Sequence, residues 1–462
     1  MPKFTQLILY LNKFLRRVEF NRTVFFGVMT RVCSVITGPI TALLIASKFT
    51  PQLQGYYYTF WNILALQMFV ELGFGVVIAQ FASHEWSRLK MDKEGYIIGD
   101  KLALSRLSGI GRIALRWYIV GGIIVAVGVG IGGYFFFPRS NQNDIVWILP
   151  WITLCVFTGI NIIFTPIWSL LEGCNQVANL YKYRFFQSLL TSLSIWLSIF
   201  LGAKLWTASI SVFVTLLCAC FFIRVKYLNF FKSIFCEDTS ESHIGWKKEI
   251  FPMQWRIALS SICGYFVFSL FTPVIFKFHG PVLAGQMGMT WSIIGFIGTI
   301  PAAWLIPKVP QFGMLIALKD YKELDRSFFR ISKIFAVINV FIALSVWLFV
   351  YVLNILKIPL ASRLLAPLPI AIFILAQLIM MMTLPMSMYL RAHKKEPLLF
   401  PSILAGVLVG VSTIILGKFY SVMGIAVGYL AVTAVIFPVI LFIWLRCRRQ
   451  WHGHDEIARN NG

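Results

Sequence analysis

Two residues stand out by type and by place. The stretches 23–47 and 56–83 are free of Asp, Glu, Lys and Arg except for one ionisable residue near the middle of each, Arg31 and Glu71. At the helical rise, Arg31 lies roughly 14 Å in from Arg22, and Glu71 roughly 18 Å from the inner end of its stretch, so their depths are similar. A charge at that depth in hydrocarbon costs at least about 2.5 kcal/mol, so each must face protein, water or the other. Arg31 could line a cavity as the cation for a phosphate-bearing substrate. Glu71 could be its partner, or a proton site coupled to movement. A static ion pair between adjacent helices is the simpler alternative, and a pair that exchanges partners would be a switch.

Softer candidates surround them. Asn62, Gln67, Asn161, Gln286 and Gln377 are amides inside apolar runs. Their paired donors and acceptors suit sugar hydroxyls and equally suit cross-links between helices. Trp61 and Trp291 sit inward of the expected interface and could stack on a sugar ring, whereas Tyr56, Tyr57, Tyr58, Trp151, Trp168 and Trp206 fit interface anchoring. Arg116 and Lys308 fall at the inner rims. No phosphate-binding Walker loop, His-Glu-x-x-His or nucleophile elbow occurs, so the sequence calls for no cofactor. The eight cysteines fall in apolar runs or on the basic side, which gives neither a disulfide framework nor a metal site.

The elements that must position these residues follow from composition. With 58% hydrophobic and 13% charged residues, the chain has too little polar material to coat soluble domains of this length. A bilayer crossing needs about 20 apolar residues. Ten charge-free runs qualify beyond residue 100: 117–138, 145–171, 185–203, 205–223, 257–276, 278–307, 334–356, 364–390, 397–417 and 419–445. With the two interrupted stretches, the expectation is an all-α polytopic membrane protein of about twelve helices in two six-helix bundles. The remaining connections are too short for a globular catalytic domain.

The net charge of +23 suggests nucleic acid until its placement is read. If the spans alternate from a cytoplasmic N-terminus, 33 Lys and Arg fall on the cytoplasmic side and seven on the other, with Arg31 between. That bias places both termini inside and assigns the excess charge to topology and to anionic lipid headgroups, not to nucleic acid.

The expected organisation is a cytoplasmic tail or interfacial helix at 1–22, a six-helix bundle at 23–224, a cytoplasmic linker at 225–255, a second bundle at 256–445 and a cytoplasmic tail at 446–462. Phe4–Phe20, with Lys13, Arg16 and Arg17, reads as a basic amphipathic stretch. A short repeat supports two halves. Lys48-Phe49 is followed by Gly55 and Trp61, and Lys277-Phe278 by Gly285 and Trp291, with one extra loop residue in the second copy. The clusters His84–Lys90 and Lys319–Arg326 read as solvated helix ends. Pro39, Pro166, Pro301 and Pro385 fall within spans, where they bend helices and free carbonyls.

Three segments carry a family resemblance: RVCSVITGPITALLIASKFTPQLQGYYYTFWNIL (31–64), FVELGFGVVIAQFASHEW (69–86) and PKVPQFGMLIALKDYKELDRSFFR (307–330). With the twelve-span layout, they resemble the polysaccharide transporter family of the multidrug, oligosaccharidyl-lipid and polysaccharide exporter superfamily. The resemblance implies a flippase for undecaprenyl-pyrophosphate-linked oligosaccharide, an O-antigen or exopolysaccharide repeat unit, in a bacterial inner membrane. It implies a basic central cavity holding Arg31, an acidic position at Glu71 before Leu72-Gly73, and possible proton or sodium coupling through Glu71. Few other cations lie within the spans, so pyrophosphate recognition would fall to Arg31 with rim residues such as Arg116 or Lys308. The expected partners are the lipid-linked oligosaccharide, membrane lipids, and a polysaccharide polymerase with its chain-length machinery. A cation-coupled drug or metabolite antiporter of the same superfamily is the alternative. A membrane O-antigen polymerase or ligase is a further one, disfavoured by short outer loops.

Overall fold

The computed structural model describes residues 22–138, 145–235, 251–393 and 396–460. The first half contains α1 (Arg22–Lys48), α2 (Pro51–Glu71), α3 (Phe74–Trp86), α4 (Lys101–Phe136), α5 (Ile148–Gly173), α6 (Val177–Phe200) and α7 (Trp206–Phe235). The second contains α8 (Phe251–Phe268), α9 (Phe271–His279), α10 (Pro281–Leu305), α11 (Val309–Ala317), α12 (Tyr321–Ile355), α13 (Pro367–Ala392) and α14 (Leu399–Asn460).

Local chemistry sets the boundaries. The Thr50 hydroxyl caps α2 by accepting from the Leu53 amide, and Pro51 fills the first position, where its missing N–H costs nothing. Asp100 and Asp320 cap α4 and α12 in the same way. Two successive left-handed residues, Leu72 (φ 46°) and Gly73 (φ 64°), end α2, and α3 departs at 44°. A second break at Ser269–Leu270 turns α9 by 45° from α8. Inside α14 the chain leaves helical geometry at Ser421 (φ 56°, ψ −145°). A Cβ on Gly428 would lie 2.9 Å from Leu416 and 3.2 Å from Ser412, so the two arms run back against each other.

Among the described residues, eight helices are long and apolar enough to cross a membrane, and the two bent pairs bring the number to ten. The reversal in α14 and α6, whose first turns carry Lys182 and Arg184, complete twelve passages. The all-α, two-bundle expectation therefore holds, with two local departures on the basic side. The helix expected to continue through Lys90 stops at Trp86, and a hairpin of β1 (Leu89–Met91) and β2 (Ile97–Gly99) follows. Asp92 forms its turn by accepting from the Glu94 and Tyr96 amides, with Gly95 at φ 89°. The expected linker also starts later than residue 225, because α7 runs to Phe235 and buries Phe230 and Ile234 against Leu89 and Ile97 of the hairpin. Residues 1–21 of the expected tail or interfacial helix at 1–22, and the polar segment 236–250, lie outside the described residues.

Packing divides by depth. At the cation-poor end, one continuous core draws on both halves: Tyr56, Phe60 and Trp151 from the first, with Phe276, Met289 and Phe373 from the second. At the cation-rich end there are two cores. One holds only first-half residues, among them Phe74, Tyr118 and Phe230. The other holds only second-half residues, among them Phe312, Phe328 and Trp444.

Candidate functional site

The two halves join through α2 and α10. Each begins with proline, and each has glycine four residues on. A Cβ on Gly55 would overlap the Pro281 carbonyl, and one on Gly285 would lie 2.8 Å from the Gly55 nitrogen and 3.2 Å from the Pro51 carbonyl. The contact is reciprocal, as a two-fold relation requires. It also fixes the register of the repeat: Pro51, Gly55 and Trp61 match Pro281, Gly285 and Trp291 at one constant offset, so the extra residue lies in the loop before the helix. Glycines are needed here because backbone meets backbone.

Two side chains lock this end. Gln54 is 1% exposed, and its Nε2 donates to the Gly285 carbonyl at 2.9 Å and the Arg363 carbonyl at 3.1 Å. Arg363, in the short turn Pro359–Arg363, returns its Nη2 to the Phe49 carbonyl at 2.7 Å. Burial pulls its guanidinium below the usual arginine pKa. Sequence reading missed both roles. Gln54 was passed over beside Gly55, and Arg363 was only one of seven cations on its side.

Toward the other end the halves diverge. Gly38 of α1 still packs on Phe296 of α10, with 2.6 Å from its would-be Cβ to the ring. Arg31 lies seven residues earlier, hence on nearly the same face and about 10 Å closer to the cation-rich end. There it is exposed. Arg31 therefore sits on the α10-facing side of α1, toward the end where the cores are split. Lys308 is exposed where α10 runs into a 3-10 turn.

Glu71 is half-buried at the last residue of α2. It lies within electrostatic reach of the buried Tyr118 hydroxyl. Among the described residues it forms no ion pair with Arg31, so the proposed partnership is not made in this conformation. The reason lies in the packing of α1. One face meets α6, where the Trp196 indole donates to the Thr41 hydroxyl at 2.9 Å, and another meets α10, while the Glu71 turn packs its neighbour Phe69 on Tyr265 and Phe266 of α8.

The broken passages share one device. The Trp117 indole of α4 donates to the Val70 carbonyl at 3.0 Å, and the Trp291 indole of α10 donates to the Phe268 carbonyl at 2.8 Å. In each case a tryptophan from the following passage satisfies a carbonyl next to the break, as hydrocarbon demands.

The remaining sequence candidates scatter. Trp291 donates to that carbonyl and has edge contacts with Phe271, Phe373 and Tyr429 at centroid distances of 4.8, 5.7 and 5.7 Å. Gln377, 4% exposed, accepts from the Tyr429 hydroxyl at 3.2 Å and ties α13 to α14. Gln377 is a buried cross-link between helices, and Trp291 is half-buried against the core shared by the two halves. Asn62 turns its amide back onto the Tyr58 carbonyl at 2.8 Å. Asn161 is half-buried where α5 is interrupted before Thr165. Arg116 is exposed on α4, next to Trp117 and away from the α1–α10 opening. Asn339 was overlooked in its apolar run. It is fully buried in α12, with neither amide atom hydrogen-bonded.

No protein-family model matches the chain. A search of curated proteins likewise finds no match. Solved structures do match over nearly the whole length. The chain is similar to a multidrug resistance MATE family transporter of the MOP superfamily in its inward-facing conformation, at 11% identity over 93% of this chain and 98% of that one, with TM-score 0.65. A second similar structure is a ligand complex of the MATE multidrug transporter DinF-BH, at 13% identity over 95% and 96%, TM-score 0.64. An outward-facing MATE structure of that superfamily matches less well, at 12% identity over 93% and 95%, TM-score 0.56. The chain shares the fold of these structures, an all-α polytopic membrane architecture in two halves. None of these similarities singles out the polysaccharide transporter family.

Proposed function

We propose that the protein is an alternating-access transporter, here sealed at the cation-poor end and open at the cation-rich, cytoplasmic end. One observation carries this: the core is shared between the halves on one side of the membrane and divided on the other. Rocking about the Gly55–Gly285 contact would move the opening across without covalent chemistry.

The charge of the opening supports an anionic amphiphile as cargo. Arg31 and Lys308 are exposed without ion-pair partners among the described residues. A guanidinium presents a donor fork that fits phosphate. We therefore read the cargo as a lipid-linked oligosaccharide bearing a pyrophosphate, moved across a bacterial inner membrane, with polysaccharide-assembly enzymes as partners. Glu71, at a helix break beside the interface with α8, is the candidate for proton or sodium coupling. In cells that make surface polysaccharide, Arg31→Ala at normal abundance should abolish its assembly, and Arg31→Lys should keep part of it. Full assembly in Arg31→Ala would remove the reading.

A drug or metabolite antiporter is the second reading, and the fold comparisons favour it, because those neighbours are titled multidrug transporters. Growth protection against cationic compounds, lost in Glu71→Gln and kept in Arg31→Ala, would select it.

A further inference from the structure

Two adjoining cavities run along α2 and α4 of the first half, and the smaller of them also reaches α8, α9 and α14 of the second. One, of about 680 Å³, is bounded by Leu72, Arg116, Trp117 and Val120. The other, of about 560 Å³, is bounded by Gly128, Gly132, Phe136, Pro273 and Lys277. Phe69, Val70 and Ile124 line both, so they form one groove. Its walls are apolar except at the ends. Arg116 is exposed at one end; at the other, exposed Lys277 lies 5.7 Å from the centre of the Phe136 ring. Neither forms an ion pair among the described residues.

Length identifies the occupant. Arg116 and Phe136 are twenty residues apart on α4, about 30 Å at the helical rise, which matches the hydrocarbon thickness of a bilayer. The chain of an ordinary phospholipid covers one leaflet, about half of that distance. A groove through the full thickness with a cation at each end fits one long chain carrying an anionic head at either side. Glycine keeps the α4 wall low in the middle, since nothing lies within 4 Å of a Cβ built on Gly128 or Gly132.

We propose that this groove holds a polyprenyl phosphate, the carrier lipid of the cargo, apart from the α1–α10 opening, with its phosphate at Arg116 on the cation-rich face or at Lys277 on the other. The proposal rests on the lipid-linked reading above and adds a separate site for the carrier lipid. A guanidinium can hold a phosphate by two parallel charge-assisted bonds.

The test is photo-crosslinking of the full chain in nanodiscs containing phosphatidylethanolamine, with radiolabelled undecaprenyl phosphate as the probe. Benzoylphenylalanine replaces Val120 or Ile124 in the groove, or Leu344, an exposed residue of α12 outside it. Labelling should be strong at Val120 and Ile124 and weak at Leu344. Unlabelled undecaprenyl phosphate should compete, and dioleoylphosphatidylglycerol should not. Gly132→Leu should block the label, and Arg116→Gln with Lys277→Gln should lower it about tenfold, the worth of one or two charge-assisted bonds. Equal labelling at Leu344, or competition by phosphatidylglycerol, would mean ordinary boundary lipid and overturn the proposal.

Polysaccharide assembly in Arg31→Ala separates the two ideas. Loss of assembly with an unlabelled groove refutes the carrier-lipid site and leaves the flippase reading standing. Selective labelling with normal assembly supports a polyprenyl-phosphate site and refutes the flippase reading.

Discussion

The two ends of the molecule are built on different principles. At the cation-poor end the halves meet backbone to backbone, Gly55 on Pro281 and Gly285 on Pro51, and Gln54 and Arg363 span the joint with three hydrogen bonds to main-chain carbonyls. At the cation-rich end each half is stabilised internally. In the second, Asp325 accepts from Arg448 at 2.5 and 3.0 Å and from the Tyr389 hydroxyl at 3.2 Å, binding α12, α13 and α14 to one another. In the first, Arg184 meets Glu172 at 2.6 Å, and Arg106 meets Glu85 at 3.1 Å. The difference teaches which contacts move. Ion pairs within a half make it rigid, whereas bonds to carbonyls across the halves can be exchanged one at a time for water or for other carbonyls.

The comparison breaks most severely at the glycines. Gly55→Leu has no room beside the Pro281 carbonyl, so the closed end cannot form. Transport should fall below detection while the protein still inserts and elutes as a single species in detergent, because the two cation-rich cores are untouched. Retained transport would show that this joint is not required. Arg31→Ala comes next. If Arg31 holds the cargo phosphate as proposed, its loss should lower transport about tenfold or more, with partial recovery in Arg31→Lys, measured at equal membrane abundance.

Trp117→Phe should act more mildly, because it frees only the Val70 carbonyl. A loss of about 0.6 to 1.7 kcal/mol in stability is expected from unfolding in mild detergent. An unchanged midpoint would mean that the break does not depend on the indole. Gln377→Leu should have the smallest effect, about 0.6 kcal/mol with transport intact. A transport defect larger than the stability loss would restore Gln377 to the cargo path.

Much of this architecture is legible in the sequence because hydrocarbon constrains it so strongly. Ten charge-free runs and two stretches with a single charge mark the expected passages, and Arg31 and Glu71 announce themselves by being alone. What such runs do not disclose is the face a polar group turns to. Trp291 and Gln377 looked available for sugar and are spent on Phe268 and Tyr429, while Gln54 looked ordinary and joins the halves. Those partners are 23, 52 and 231 residues away in the chain, beyond any local pattern. The hairpin at Leu89–Gly99 was missed for another reason. Charged residues at helical spacing suggested a helix end, but the Asp92 side chain and Gly95 supply a turn instead.

The most direct test of the central claim is a pair of spin-label distances in a variant lacking the native cysteines. One pair is Gln80→Cys with Lys308→Cys at the cation-rich end, and the other is Ser47→Cys with Lys357→Cys at the opposite end. Each is measured with and without Gln54→Ala and Arg363→Ala. Loss of the joint should lengthen the second distance and shorten the first, as halves rocking about a shared contact require. If both distances stay fixed when the joint is removed, the halves do not rock about it and the account is wrong.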